Sequence, residues 1–352
     1  MQGTFLAMSR LRRVLRVGAI AVPGAFGCAA VAYRWQNRPK LPAHHLQSLE
    51  GRSVVVTGGT SGVGWATVEG LLALGAHVIV GARDAHRGQV LISAMAGEGR
   101  VEVLPLELTD PESVATFAEE AMRRIAAATG GIHALVNCAA EIRCTPDKTF
   151  GGIDRTFATN QLGPQQLSNC LLPDLLRAAG KQGDAGSEYR PRVVLIGSRL
   201  ERRGRIDLES LRMHGVPDPA LTVHFDPMRN YAATKLANMQ LARELHKRLA
   251  GSSVDIIVVS PGMVHTGLWA HFPAWYKAIT YPVRAACLRS PTEGAAGVLF
   301  AIAANEAQGL GHAYLCDGKL IECSEAAKDD ASSAALYELC QQLMQTGTQK
   351  HY

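Results

Sequence analysis

The amino-acid sequence predicts an α/β fold: a doubly wound parallel sheet with helices on both faces, in a single domain behind an N-terminal hydrophobic leader. Three observations carry this. Segment 53–75, SVVVTGGTSGVGWATVEGLLALG, passes from an apolar β-branched run through a glycine cluster into an apolar-periodic stretch, the order strand, turn, helix. Similar short apolar runs recur and alternate with helical patterns, as parallel strands joined by crossover helices do. The runs are apolar nearly throughout, which suits strands buried on both sides.

The elements follow in order. AHVIVGARD (76–84) is the second strand and VEVLPLELTD (101–110) the third. DPESVATFAEEAMRRIAAATG (110–130) is a capped helix with Pro111 in its first turn, where a missing N–H costs nothing. IHALVNCAA (132–140), RVVLIGS (192–198) and VDIIVVSPG (254–262) are three more strands. GKQGDAGSEYRP (180–191) reads as an exposed excursion, and 199–229 is too long for a tight connection; connections of that length are usually functional or disordered. NYAATKLANMQLARELHKRL (230–249) reads as an amphipathic helix. The chain divides into a leader and linker (1–49), a folded body (50–325) and a helical C-terminal tail (326–352).

Composition narrows the class. The 352 residues are 47% hydrophobic and 19% charged, which suits a globular protein and excludes a disordered or collagen-like one. The net charge of +5 is misleading. Residues 1–49 hold Arg10, Arg12, Arg13, Arg16, Arg34, Arg38 and Lys40 and no acid; the remainder has 29 cations against 31 carboxylates. A nucleic-acid binder carries its basic patch on the folded domain, so nucleic acid is not an expected partner. The eight cysteines form no C-x-x-C pair and read as small buried hydrophobes in a reducing compartment, with no metal site expected.

The leader contains VGAIAVPGAFGCAAVAY (17–33), an uncharged run flanked by basic residues. As a helix it spans about 26 Å, a little short of a hydrocarbon core of about 30 Å. A membrane anchor, a mitochondrial-type presequence and a cleaved secretory signal stay open. NRPKLPAHH (37–45) reads as an extended linker.

Two motifs carry chemistry. In VVVTGGTSGVG, Gly58, Gly62 and Gly64 let the backbone approach a ligand, and the following helix offers free N–H groups to a pyrophosphate. Tyr231 and Lys235 are four residues apart, hence on one helix face. A nearby ammonium favours the phenolate and lowers the phenol pKa, giving a general acid for carbonyl reduction and a base for alcohol oxidation. A surface pair is the bland alternative. Ser198, at the end of its strand, has a hydroxyl to offer a substrate oxygen.

The glycine spacing T-G-x-x-x-G-x-G, with Asn160, Ser198, Tyr231, Lys235 and SPGMVHT, resembles the short-chain dehydrogenase/reductase family over about residues 50–320. YAATKLANMQLARELHKRL, GARD and GLGHAYLCDGK resemble its retinol-dehydrogenase-like branch. The resemblance implies a Rossmann-type fold and NAD(P)-dependent oxidoreductase activity. Asn160 would organise a water-linked proton path to the lysine, unless it is a buried helix amide. Ser61, Val63, Asn137, Ala139, Pro261 and Val264 would join the glycines against the cofactor, and Thr266 would contact the nicotinamide carboxamide. Asp110 would contact adenine, cap its helix, or both. At the end of the second strand an acid would favour NAD; Arg83 instead suits a 2′-phosphate, so NADP, as NADPH, is expected over NAD unless Asp84 merely neutralises a solvated arginine.

The branch implies small lipophilic aldehydes, ketones or alcohols as substrates, and a membrane-associated chain, in the endoplasmic reticulum or alternatively the mitochondrion. A homodimer through the Tyr–Lys helix is an open option. Trp269, Phe272, Trp275 and Tyr276 would contact such a substrate or a membrane, or pack on the fold itself. A steroid or fatty-acyl ketoreductase is a second reading. A catalytically weak NADP-binding scaffold is a third, because Asn137–Cys138–Ala139–Ala140 stands where the family has N-N-A-G.

Overall fold

The computed structural model describes residues 46–92, 100–149, 151–180, 189–269 and 272–349. The leader, with its 17–33 and 37–45 segments, lies outside them. Strand β1 (Ser53–Thr57) is buried at every residue. It pairs in parallel with β2 (His77–Ala82) and β4 (Ile132–Asn137). β3 (Val101–Pro105), β5 (Arg192–Ile196), β6 (Asp255–Ser260) and β7 (His312–Cys316) complete the parallel set, and β8 (Lys319–Leu320) adds an antiparallel edge. The order is β3-β2-β1-β4-β5-β6-β7-β8. The chain reverses its direction of travel between β1 and β4, which opens a crevice at their carboxyl ends.

The period of two along each strand splits the core. Val54 and Val56 face α1 (Gly62–Ala73) and α8 (Pro291–Ala303). Val55 faces the other way, onto α3 (Pro111–Ala128), α4 (Gly163–Gly180) and α6 (Pro227–Arg248). Each such side chain removed from water contributes about 1.5–3 kcal/mol. Between α1 and α3 lies α2 (Ala85–Ile92). A third cluster packs α9 (Asp330–Gln349) through Leu336, Leu339 and Cys340 against Leu211 of α5 (Leu208–His214) and Phe157.

Several expectations change. β7 and β8 were not expected; HAYLC opens on a histidine after two glycines and is a strand because β6 offers it an edge. Of the expected excursion 180–191, residues 181–188 lie outside the described residues; Gly180 is exposed and Tyr189 is not. Tyr189 is buried, donates to Ile302 O at 2.9 Å, and has the Arg52 guanidinium 3.9 Å above its ring. Segment 199–229 is regular in large part, with a 3-10 helix at Arg199–Arg203 and α5 capped by Asp207. α6 is less amphipathic than its sequence, because Asn230, Thr234, Asn238 and Gln240 are buried with its leucines. α7 (Ala274–Cys287) does expose Trp275 at 66%, while Phe272 stacks on Tyr276 at 5.0 Å. No helix among the described residues is long and apolar enough to cross a membrane. Cys138, Cys144, Cys170, Cys316, Cys323 and Cys340 are free.

Candidate active site

A cleft of about 470 Å³ opens at the carboxyl ends of β1, β2, β4, β5 and β6, within the range of ligand sites. It runs from Arg83, past Gly58 and the first turn of α1, to Ser198, Tyr231 and Thr266. Ser61, Gly62, Val63, Gly64, Ala139, Pro261 and Val264 also line it. Lys235 and Asn160 lie behind its wall, 2% exposed each. Asn137 is buried at the end of β4, its amide nitrogen donating to Ser168 Oγ at 3.3 Å. Asp110 does not line the cleft; its carboxylate accepts from the Glu112 amide at 3.0 Å and caps α3. That is the capping role the sequence left open, and Leu106 to Leu108 form the adjoining wall instead.

Local chemistry builds the glycine end. Gly58 and Gly62 have φ of 68° and 55°, which side chains other than glycine resist. A Cβ on Gly64 would sit 2.2 Å from Gly58 O. Thr57 Oγ1 accepts from the amides of Cys138 and Ala139, both at 3.1 Å, and so ties β1 to the loop after β4. Ser61 makes no side-chain cap on α1, so the helix presents its first amides to the cleft, a ready anion site. Asp84 does not neutralise Arg83. Its carboxylate accepts from the Arg87 amide at 2.9 Å, and no carboxylate pairs with Arg83 among the described residues. An uncapped helix start, a backbone cradle and an unpaired arginine form a donor set that fits a dinucleotide.

At the other end, Asp226 caps α6, accepting from Met228 and Arg229 amides at 2.8 and 3.2 Å, with Pro227 in the first turn. This sets the helix phase that brings Tyr231 to the cleft. Ser198 Oγ accepts from the Leu200 amide at 3.2 Å, which leaves its O–H free to donate to a bound oxygen. Lys235 Nζ lies 5.3 Å from the Tyr231 ring centroid and donates to Ile196 O at 2.7 Å. Asn160 is fully engaged: Oδ1 accepts from the Glu141 amide, and Nδ2 donates to Glu141 O and Thr234 Oγ1.

The electrostatics correct one expectation. Burial, and secondarily Cys138, raises the Tyr231 phenol above its ordinary range. Burial lowers the Lys235 ammonium to about 8, against a small opposing effect of Cys138. Cys138 itself is pushed up to about 12 by burial, with Lys235 opposing, and so is a neutral thiol at neutral pH. Desolvation penalises both charged forms, so the Tyr231 phenol is shifted up and not down.

The N-C-A-A departure puts the Ala140 methyl in the cleft. Ala140 lines the cleft, but the one non-glycine residue with positive φ among the described residues is Asp317. The Ala140 backbone is therefore outside the left-handed region, and its methyl takes up room on the cleft wall. Sequence reasoning missed Glu141, Arg155 and Thr159, which also line the cleft. Glu141 is 8% exposed and accepts from Thr159 Oγ1 at 3.1 Å; its position directly after N-C-A-A was the available signal.

Comparison with known proteins agrees with this geometry. Residues 52–198 match the short chain dehydrogenase family model. The chain is 33% identical over 332 residues to mouse (Mus musculus) polyprenol dehydrogenase, covering 93% of this chain and 92% of that protein. It is 29% identical over 306 residues to mouse retinol dehydrogenase 14, covering 83% and 85%. A crystal structure of an uncharacterised Mycobacterium paratuberculosis protein superposes with a TM-score of 0.65 at 29% identity, over 86% of this chain and 97% of that one. A Burkholderia cenocepacia short chain dehydrogenase in complex with NADP has a TM-score of 0.56 at 25% identity, over 80% and 100%. The chain is thus an oxidoreductase with a nicotinamide cofactor site, and belongs to the short-chain dehydrogenase/reductase family in its retinol-dehydrogenase-like branch.

Proposed function

We propose that this protein is an NADP(H)-dependent oxidoreductase that interconverts a lipophilic alcohol and its aldehyde or ketone, with Tyr231 as general acid and base. The observation that carries the reading is one cleft joining Ser198 and Tyr231 to the uncapped start of α1 and the unpaired Arg83. Gly58, Ser61, Gly62, Val63 and Gly64 would hold the pyrophosphate, Arg83 the 2′-phosphate, and Pro261, Val264 and Thr266 the nicotinamide end. Asn137 at the end of β4 and Ala139 in the loop after it would support it. Bound there, the cofactor supplies or accepts the hydride.

The protein's own part is proton transfer and orientation. The Ser198 hydroxyl donates to the substrate oxygen and fixes the carbonyl against Tyr231. Burial keeps the phenol protonated, the state a proton donor needs for reduction. As negative charge develops on the Tyr231 oxygen, the Lys235 ammonium stabilises it at low local dielectric. Stabilisation confined to the transition state is what raises kcat. Asn160 holds the loop after β4 through Glu141.

The lipophilic substrate class rests on the polyprenol and retinol dehydrogenase relatives. The apolar, basic-flanked run 17–33 would anchor the chain at a membrane, in the endoplasmic reticulum or alternatively the mitochondrion. The body 50–325 would be the catalytic unit. The test is NADPH consumption against a panel of long-chain aldehydes and ketones, retinal included. Tyr231→Phe is expected to lose about 10²–10⁴-fold in turnover while binding NADPH normally. NADPH binding by the unaltered protein with no turnover on any carbonyl would leave the scaffold reading instead.

A further inference from the structure

One polar residue of α6 has no part in the chemistry above. Asn238 is 3% exposed and lies one helical turn beyond Lys235. Its Oδ1 accepts from Lys235 Nζ at 3.2 Å. Its Nδ2 donates to Asn160 O at 2.7 Å and to Gln161 Oε1 at 3.1 Å. A side-chain amide has two N–H donors and one carbonyl oxygen, so every polar atom of Asn238 is engaged. The Asn160 carbonyl is available because residues Ala158–Leu162 form a π-helical turn, in which the Gly163 amide bonds to Ala158 O. Such a turn releases a carbonyl from the regular ladder and often marks a functional site.

We infer that Asn238 is a positioning residue for Lys235: its amide ties the ammonium to the Asn160 carbonyl, where the family resemblance calls for a water. This rests on the proposed oxidoreductase reading and deepens it. Of the three N–H donors on Lys235, Ile196 O and Asn238 Oδ1 take two. The third is left for the Tyr231 side. An amide neither gains nor loses a proton near neutral pH, so Lys235–Asn238–Asn160 is a tether and not a proton wire. The Tyr231 proton is then restored through the cleft, which Tyr231 itself lines.

The surroundings of Lys235 make the tether measurable. Its titratable neighbours are the Cys138 thiol and the Tyr231 phenol. From β5 it meets the Ile196 carbonyl, and through Asn238 it is linked to the neutral Asn160 and Gln161 of the π-helical turn. No carboxylate contributes to its charge balance. Asn238→Asp places one against the ammonium, and Asn238→Leu removes the acceptor.

The full-length protein is assayed for carbonyl reduction with NADPH across pH 6–10, alongside Lys235 titration by NMR of ¹³C-lysine protein, assigned with Lys235→Met. Asn238→Asp is expected to move the Lys235 titration and the alkaline limb of kcat/KM upward by about one pH unit or more. Asn238→Leu is expected to move both downward and to lower kcat about 100-fold, as a small misplacement of a catalytic group does, with KM for NADPH nearly unchanged. Lys235 titrating at its wild-type pH in a folded Asn238→Asp protein overturns the inference, and that variant decides alone if the leucine variant does not fold. Because the NMR titration needs no turnover, a Tyr231→Phe protein that retains full activity would defeat the catalytic reading without touching this one.

Discussion

Gly64→Ala tests whether the glycine turn is a steric requirement. The added Cβ would lie 2.2 Å from Gly58 O, 2.8 Å from Gly58 C and 3.2 Å from Gly59 Cα. All three are backbone atoms, so no side-chain rotation relieves the contact; α1 must move away from the turn by about 1 Å to reach van der Waals distance. Overpacking of this kind costs about 1–3 kcal/mol, and the helix preference of alanine over glycine returns about 1 kcal/mol. The net loss is about 0–2 kcal/mol, at the upper end for a contact this hard. The same shift displaces the amides that face the cleft. Charge-assisted hydrogen bonds contribute about 1.5–3 kcal/mol each, so loss of one lowers NADPH affinity about 10- to 100-fold. Urea unfolding and calorimetric titration with NADPH read the two effects. Gly267→Ala is the matched control, since Gly267 lines the same cleft and an added Cβ there would meet nothing within 4 Å; its stability should stay within about 0.5 kcal/mol. Indistinguishable unfolding midpoints and affinities for the two variants would refute the reasoning.

Two further outcomes are expected beyond those for Tyr231 and Asn238. Arg83→Ala should raise KM for NADPH about tenfold or more, through loss of a charge-assisted contact to the 2′-phosphate, and leave KM for NADH nearly unchanged; parallel changes with both cofactors would count against the assignment. His312 stacks on His246 at 5.8 Å between ring centroids, and burial first, then His246 and Arg243, holds its pKa down to about 4. Between about pH 6.5 and 4 the unfolded chain takes up a proton that the folded chain refuses, so stability falls with pH across that window and levels off below it. His312→Leu should remove on the order of 2 kcal/mol of that fall, read from urea midpoints at the two ends of the window; an unaltered slope would exclude His312 as its source.

Much of this architecture was readable from residues alone. β1 to β6 were legible because a strand covered on both faces needs a continuous apolar run, and VVV, VIV, LV, VVLI and IIVV supply one. β7 was not, because HAYLC becomes a strand only against β6. The glycine turn and the Tyr231–Lys235 pair were legible because local geometry sets both. Glu141 and Asn238 were invisible as site residues, since a lone acid after a strand and a lone amide in a helix look like many others. They gain meaning from Asn160 and Lys235, which are brought to them from other parts of the chain.

By itself the sequence determined the order of β1 to β6, the place of the glycine turn and the spacing of Tyr231 and Lys235. These follow from short-range rules: side-chain period, the φ freedom of glycine and the pitch of a helix. Only the tertiary structure decided that Asp110 serves as a cap, that Arg83 pairs with no carboxylate among the described residues, and that Lys235 is bound to Ile196 O and Asn238. It also set the direction of both shifts, with burial raising the Tyr231 phenol and lowering the Lys235 ammonium. Charge states depend on how much water and which dipoles surround a group, and that environment is assembled from segments far apart in the chain.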